Sequence, residues 1–355
     1  MACTENEPVF SVWNGHSPTY RGPEPLRFKR TYSPITLTMS TDDLTCSANS
    51  IRVDSAGGNR LHPEFPSYKI AFLIMLTIGF HTDAFNSAYW SFAQCLEWAH
   101  ANGLTHIECG AIDGVSWIHG LGYQPHVALW EDPILLRRKM DQLGIAFSQI
   151  DAAFPLSKPE GATLGVEYIL HTIRWAKLAG CPCVDTTDDR FRPEGMTDLE
   201  ALAHMKRIYL QVLPVAEAYG IIINIEPHGY FTTKPEYMAE MLSFADSPNL
   251  RMNMDTGNTF IAGQDPVAFL RQFLDRVSHV HIKDVSETLA AAARGELTGI
   301  AVSQCAIGDG VNAGNIRECV RVLTESGFSG VYSLECEGAG GPMIERSLSW
   351  VKQLC

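Results

Sequence analysis

The sequence lacks any apolar segment long enough to cross a membrane. The longest one, residues 70–80, has eleven residues and includes Thr77 and Gly79, whereas a membrane-spanning helix needs about 20. It also begins too late in the chain to be a secretion signal. We therefore expect no membrane partner and a cytoplasmic location, and we interpret the segment as a buried strand with a hydrophobic lead-in.

Basic residues are scarce. The chain has 27 Lys and Arg against 40 Asp and Glu, which gives a net charge of −13 over 355 residues. An acidic surface of this kind repels the phosphate backbone of DNA and RNA. The composition therefore argues against nucleic acid as a partner.

Closely spaced cysteines are scarce as well. The ten cysteines are scattered, several of them within predicted strands or helices, and Cys181 and Cys183 form the only close pair. A disulfide framework needs several cysteines at regular spacings in an oxidising compartment. We therefore expect reduced, buried thiols.

The first 70 residues lack the apolar periods of both helices and strands. Pro, Ser, Thr, Asn and Gly are scattered through them, and no apolar stripe develops. We expect a disordered N-terminal extension over residues 1–70, or translated upstream sequence, with no part in the chemistry. Met75 directly precedes the first predicted strand, so the folded domain is expected over residues 75–355.

Predicted strands and helices alternate eight times in the remainder of the chain. The strands are LTIGFH, THIECG, IAFSQIDA, CVDTT, IIINIEPH, LRMNMD, VSHVHIKD and GVYSLECE. The helices are predicted over residues 90–102, 132–143, 164–179, 199–219, 235–245, 266–274, 287–294, 316–326 and 343–353. Gly103, Gly144 and Gly220 end helices in front of three of the strands.

This alternation predicts an α/β fold, a (β/α)8 TIM barrel in one domain, for which about 250 residues are usual. A doubly wound sheet is the structural alternative. Such a sheet usually carries a glycine-rich phosphate loop after its first strand, and GFHTDAF is not one.

Four of the predicted strands carry a residue near their C-terminal end that could bind a metal ion. These residues are Glu226, Asp255, His281 and Glu335. A barrel of parallel strands brings such ends to one mouth, and carboxylates with an imidazole suit Mn²⁺, Mg²⁺, Co²⁺ or Zn²⁺. We predict one bound divalent ion, for which Mn²⁺ is the first candidate. The alternative is four unrelated residues in structural salt bridges.

Residues at a spacing of two from these four are polar. Side chains two apart on a strand share a face, so the barrel interior is predicted to contain Asn224, His228, Arg251, Asn253, His279, Lys283, Ser333 and Glu337. Leu334 and Cys336 would then meet the helices. Polar groups inside a barrel normally belong to a site, because burying an unpaired charge is costly.

A metal ion in such a site keeps open positions for a ketone and a neighbouring hydroxyl, and it acidifies the adjacent C–H. Glu226 and Glu335 could then exchange protons on opposite sides of the substrate. Lys283 could balance the developing negative charge, or form an ion pair with Asp255 or Glu335. His228 could act as acid or base toward a leaving group, or hydrogen-bond behind the metal ligands.

Further residues are candidate substrate contacts. Glu108, at the end of THIECG, could hold a sugar hydroxyl. His119 lies with Trp117 and His126 in a long loop that could cover the mouth, with plain surface decoration as the alternative. Asn258 follows the strand of Asp255 by three residues and is a third candidate.

From about residue 77 to its end, the chain resembles the xylose-isomerase-like TIM-barrel superfamily of sugar isomerases and epimerases. The resemblance is carried by IEP, MDTGN, HVHIKD and LECEG, in this order. These motifs match the metal-ligand positions of the superfamily. The resemblance thus implies Glu226, Asp255, His281 and Glu335 as the ligands.

The segments HIKDVSETLAAAARGELTGIAVSQCAIGDGVNAGNIRECV and GAGGPMIERSLSW are similar to one branch of this superfamily. It holds inosose dehydratases and the catalytic subunits of bacterial C-glycoside deglycosidases. This similarity implies α-proton removal and β-elimination on a keto-cyclitol, 3-keto-sugar or keto-glycoside. It also implies a small second subunit, and a homo- or hetero-oligomer.

One position departs from the pattern. Ketose epimerases of the superfamily carry a histidine where this chain has Asn258, which disfavours a typical ketose 3-epimerase. The acidic charge disfavours a DNA-repair endonuclease of the same fold. The leading expectation is a lyase. An isomerase or epimerase of a free ketose and a non-catalytic sugar-binding barrel remain as alternatives.

Overall fold

The computed structural model describes residues 76–85, 90–113, 125–295, 298–299, 301–337 and 340–354. All of them belong to the compact unit Lys69–Cys355. The predicted extension over 1–70, and the loop residues Trp117 and His119, lie outside the described residues.

Eight parallel strands close into a barrel, as predicted. The described residues form nine strands, of which all but β3 belong to the barrel: β1 (Thr77–His81), β2 (His106–Ile112), β3 (Val127–Ala128), β4 (Ala146–Asp151), β5 (Cys183–Thr186), β6 (Ile222–Ile225), β7 (Leu250–Asp255), β8 (Val277–Ile282) and β9 (Val331–Leu334). Their order is β1-β9-β8-β7-β6-β5-β4-β2, and pairing of β1 with β2 completes the circle. The two-residue β3 pairs with β2 beside the barrel. The (β/α)8 prediction is therefore confirmed.

The predicted helices are present, with ends within three residues of their predicted positions. The helices are α1 (Phe92–Ala101), α2 (Pro133–Leu143), α3 (Leu164–Ala179), α4 (Asp198–Tyr219), α5 (Pro235–Leu242), α6 (Thr256–Ile261), α7 (Pro266–Gln272), α8 (Glu287–Ala293), α9 (Ala313–Glu325) and α10 (Pro342–Val351). Only α6, directly after β7, has no counterpart among the predicted helices. None of the described helices combines the length and apolarity that crossing a bilayer requires.

Glycines end three of the described helices that lead into strands, α2, α3 and α4. Gly144 after α2 and Gly220 after α4 have φ angles of 68° and 65°. This left-handed conformation strains residues with a side chain, so glycine allows a sharp turn into the next strand. The helices then pack on the outside of the barrel, where Leu334 and Cys336 lie in the apolar core as predicted.

The last residues of the strands, and the first residues beyond them, lie at the C-terminal mouth of the barrel. Glu226 and Glu335 directly follow β6 and β9. Their backbone N–H groups still donate to neighbouring strands, Glu226 to Thr186 O at 3.1 Å and Glu335 to Ile282 O at 3.0 Å. The sheet therefore holds both backbones firmly at the mouth, where TIM-barrel active sites lie.

A candidate metal centre at the barrel mouth

The structure brings Glu226, Asp255, His281 and Glu335 together. One ligand atom of each lies within 4.8 Å of the others, and all four residues are buried. His281 Nδ1 is 2.9 Å from Glu226 Oε1, 3.0 Å from Glu335 Oε2 and 3.7 Å from Asp255 Oδ2. The four residues lie near the end of, or directly after, β6, β7, β8 and β9, which are consecutive in the barrel.

Asp255 is oriented by the helix that it begins. Its Oδ1 accepts hydrogen bonds from the backbone N–H groups of Gly257 at 2.6 Å and Asn258 at 2.7 Å. Asp255 is thus the N-cap of α6, a role that aspartate favours. Because one oxygen is fixed by the cap, the other, Oδ2, is left on the side of His281.

The centre contains two buried carboxylate oxygens that accept no hydrogen bond from any described residue, Asp255 Oδ2 and Glu335 Oε2. Both lie beside His281 Nδ1. Buried carboxyl oxygens without a hydrogen-bond donor need another compensating partner. A divalent cation supplies that compensation, and the oxygen and imidazole donors suit it. The residues present therefore fit a divalent metal ion.

Electrostatics at the centre favour bound positive charge. Although burial alone would raise it, Lys283 and His281 hold the pKa of Glu335 well below its usual range. Burial and the nearby charge of Glu335 raise the pKa of Asp255 well above its usual range. Burial opposes charge on His281, but Glu108 and Glu335 raise its pKa well above the usual value.

Lys283 lies between Glu335 and Glu337. Its Nζ is 3.0 Å from Glu335 Oε1 and also donates to Glu337 Oε1. The other oxygen of Glu337, Oε2, accepts from Ser303 N and Oγ at 3.0 and 2.8 Å. The predicted alternative of an ion pair with Glu335 is therefore present, and Glu337 is an additional partner that sequence reasoning missed.

Glu108 is fully buried and directed toward His281. Its Oε1 is 2.9 Å from His281 Nε2 and accepts from Gln149 Nε2 at 2.7 Å. Its Oε2 lies 3.6 Å from His279 Nε2. One of its two oxygens is thus already engaged within the protein, while contact with a substrate hydroxyl stays a prediction.

Three more residues that the sequence singled out are among those that the structure describes. Asn258 is buried, and its Nδ2 donates to Glu226 Oε1 at 3.4 Å. Burial lowers the pKa of the His228 ring, on which the charges of Glu226 and Lys283 also act. His126 Nδ1 accepts from the backbone of Gly110 at 3.0 Å, so His126 is tied to β2.

Titratable residues on or directly after β1, β4 and β5 were missed by sequence reasoning. His81 Nε2 is 2.6 Å from Asp151 Oδ2, and His81 Nδ1 is 3.1 Å from Asp83 Oδ1. Asp151 is paired in register with Asp185 on β5, and both are near the C-terminal ends of their strands. This is the same positional signal that identified the four central residues, so the sequence could have revealed them.

The chain is similar in part to proteins named as an isomerase and a dehydratase. A human protein provisionally named hydroxypyruvate isomerase is 25% identical over 197 residues, which cover 52% of this chain and 64% of the human protein. Inosose dehydratase of Bacillus thuringiensis (strain Al Hakam) is 29% identical over 123 residues, 32% of this chain and 41% of the relative. The chain therefore spans less than two thirds of the length of either relative.

Solved structures match over most of the barrel. A D-tagatose 3-epimerase-like protein has a TM-score of 0.62 at 20% identity, covering 79% of this chain and 97% of its own. The IolI protein with a zinc atom has a TM-score of 0.60 at 16% identity, covering 79% and 95%. At these identities the two structures support the fold alone. The profile of one protein family matches residues 96–354, and the chain belongs to that family, the xylose isomerase-like TIM barrel proteins.

Proposed function

We propose that this protein is a divalent-metal-dependent enzyme that removes a proton from the carbon next to the carbonyl of a keto-sugar or keto-cyclitol. The convergence of Glu226, Asp255, His281 and Glu335 is the observation that carries this proposal. These four residues would hold a divalent ion, which would supply polarisation of the substrate carbonyl and so acidify the neighbouring C–H. Mn²⁺ is the ion that we propose first, and the zinc in the IolI structure makes Zn²⁺ the main alternative.

Glu226 and Glu335 are the proposed bases on the two sides of the substrate. Lys283 keeps Glu335 in its carboxylate form, which is the form that can accept a proton. The Lys283 ammonium also lies close enough to the centre to balance negative charge that develops on the substrate.

His228 is the proposed acid or base at the leaving group. Because burial lowers its pKa, the ring is neutral near pH 7 and can accept a proton or pass one on. Asn258, His119 and the second oxygen of Glu108 are the proposed substrate contacts. Asp151 Oδ1 and Asp185 Oδ1, which accept no hydrogen bond from described residues, suit the hydroxyls of a polyol.

We favour β-elimination, either dehydration or cleavage of a 3-keto C-glycoside. The similarity to inosose dehydratase and Asn258 at the position of the epimerase histidine support this outcome. Isomerisation or epimerisation of a free ketose is the second candidate, which the name of the human relative favours. A small second subunit and an oligomeric assembly remain part of the proposal for the lyase.

Product analysis separates these candidates. Purified protein with Mn²⁺ is incubated in D₂O with an inosose, a 3-keto-glucoside and a set of free ketoses. Loss of a β-substituent supports the lyase, whereas deuterium incorporation with all carbons and oxygens retained supports the isomerase or epimerase. Inactivity with Mn²⁺, together with a melting temperature that a chelator leaves unchanged, would indicate a non-catalytic sugar-binding barrel.

A further inference from the structure

We propose that Glu108 is a positioning residue for His281, which it holds in the tautomer and orientation that a metal ion at Nδ1 requires. This inference rests on the proposed metal centre. It assigns to Glu108 a second role beside that of a substrate contact.

A series of hydrogen-bonded side chains leads to Glu108 across the barrel interior. Ser278 Oγ donates to Asn224 Oδ1 at 2.5 Å, and Asn224 Nδ2 donates to Gln149 Oε1. Gln149 Nε2 then donates to Glu108 Oε1 at 2.7 Å, and His281 Nε2 lies 2.9 Å from the same oxygen. Asn224, Gln149 and Glu108 are each 0% exposed, so water does not compete for these bonds.

The donor-to-acceptor direction of these hydrogen bonds determines which nitrogen of His281 carries the proton. Gln149 accepts with its oxygen and must therefore present its NH₂ group to Glu108. Glu108 Oε1 is then an acceptor on both sides, so the nitrogen of His281 that faces it carries the hydrogen. With Nε2 protonated, the lone pair of a neutral ring is on Nδ1, the atom that faces Glu226, Asp255 and Glu335.

Asn253, an amide neighbour of the ring, does not determine which ring nitrogen carries the proton. Its Nδ2 lies 3.2 Å from both His281 Nδ1 and His281 Nε2, so it contacts the ring without distinguishing its two nitrogens. The carboxylate of Glu108, by contrast, accepts a hydrogen bond from Nε2. Removal of a carboxylate that holds a metal-bound histidine in this way typically lowers metal affinity 10- to 100-fold.

Metal titration tests the proposal. Glu108→Leu removes the hydrogen-bond acceptor of His281 Nε2. Glu108→Gln keeps an oxygen for Nε2 but loses the negative charge. Asp188→Asn is the control, because it alters a buried, hydrogen-bonded carboxylate that does not belong to this series of side chains. We expect Mn²⁺ affinity to fall about 10- to 100-fold in Glu108→Leu, about fivefold in Glu108→Gln, and less than about threefold in Asp188→Asn. Affinity equal to that of the wild type in a folded Glu108 variant would overturn the proposal.

A second measurement needs no metal and separates this proposal from the proposed function. In metal-free protein with ¹⁵N-labelled histidine, we expect a slowly exchanging Nε2–H proton on His281 that Glu108→Leu loses. If Glu108→Leu does not fold, a shifted, faster-exchanging signal in Glu108→Gln is the expected result. Failure of the wild type to bind Mn²⁺ or Zn²⁺ would refute the proposed function, while an Nε2–H signal unaffected by either substitution would refute the role of Glu108.

Discussion

Lys283 and Glu337 form an ion pair inside the mouth of the barrel, with side chains only 3% and 7% exposed. Lys283 Nζ is also 3.0 Å from Glu335 Oε1. Asp83, Glu335 and Glu337 present oxygens within 4.8 Å of one another. The ammonium group thus lies where a second cation would otherwise be needed to balance these carboxylates, and it leaves Glu335 Oε2 to the proposed metal ion.

Replacement of Lys283 with methionine should therefore change both stability and metal stoichiometry. Removing one partner of a buried ion pair leaves the other uncompensated, which costs about 3–5 kcal/mol in the free energy of unfolding. We expect urea denaturation of metal-free Lys283→Met to show this loss. Metal analysis at millimolar Mn²⁺ should find two ions per chain instead of one.

Lys158→Met is the matched control. Lys158 Nζ is 3.1 Å from Asp189 Oδ2, but its side chain is 48% exposed, and such surface pairs contribute at most about 1 kcal/mol. A stoichiometry of one in folded Lys283→Met would show that the ammonium does not stand in for a second cation.

Glu335→Gln should abolish turnover and weaken metal binding. The amide keeps the size of the side chain but removes the negative charge that faces His281 and Lys283. A neutral amide cannot serve as the base, so we expect kcat to fall at least about 1,000-fold, within the range of general-base removal combined with ligand loss. Glu345→Gln, on the exposed face of α10, is the control, and full activity of Glu335→Gln would contradict both assigned roles.

The sequence predicted the centre because its signal is local. Glu226, Asp255, His281 and Glu335 each follow or end a recognisable apolar strand, and the parallel barrel brings equivalent ends together. The contact of Glu108 with His281 was not predictable in this way, because the period of two gives the face of a side chain but not its depth or its cross-barrel neighbour. Helix α6 was missed because MDTGN was interpreted as a ligand motif alone, although its aspartate and the following turn are also a capping signal.

Asn258→Ala should weaken substrate binding more than metal binding. Asn258 Nδ2 reaches Glu226 Oε1 only at 3.4 Å, and its Oδ1 accepts no hydrogen bond from described residues, so its polar group is available to a ligand. We expect KM to rise about tenfold, as for one lost hydrogen bond to a polar substrate, with unchanged metal content. Asn315→Ala is the control, because Asn315 lies on α9 and its amide donates to Asn312 Oδ1. If purified Asn258→Ala contained no metal, Asn258 would instead belong to the groups that hold the ion.

The free energy of unfolding should depend on pH through Asp188, which is not one of the proposed metal ligands. Burial raises its pKa from 3.8 to about 6, against the hydrogen bonds from Phe231 and Thr232. A raised carboxyl pKa means that the folded state binds the proton more tightly than the unfolded state. Its stabilising contribution is therefore complete below about pH 4 and is lost as the pH rises through 6.

We expect the wild type to gain up to about 3 kcal/mol relative to Asp188→Asn when the pH is lowered from 6.5 to 4. Urea denaturation of both proteins across this range measures the difference. A constant difference would show that Asp188 titrates near its usual value in the folded protein.

Asp284 should be among the residues on which the stability of the mouth depends most. Its fully buried carboxylate accepts four backbone N–H groups, from Val285 and Asn312 at Oδ1 and from Gly308 and Gly310 at Oδ2, at 2.8–3.0 Å. Asp284→Asn replaces one oxygen with an NH₂ group that faces two donors. Because charged hydrogen bonds are lost and donors are left unsatisfied, we expect a loss of about 3 kcal/mol in the free energy of unfolding.

Asp309→Asn is the control in the same loop. Asp309 pairs with Arg346 at 2.8 Å on a surface where both side chains are at least 35% exposed, so its loss should cost less than about 1 kcal/mol. Hydrogen exchange of the amides of Gly308, Gly310 and Asn312 locates the effect, since these should lose protection in Asp284→Asn before the rest of the barrel does. Equal stability of the two variants would mean that the loop is held by its other contacts and that Asp284 is replaceable.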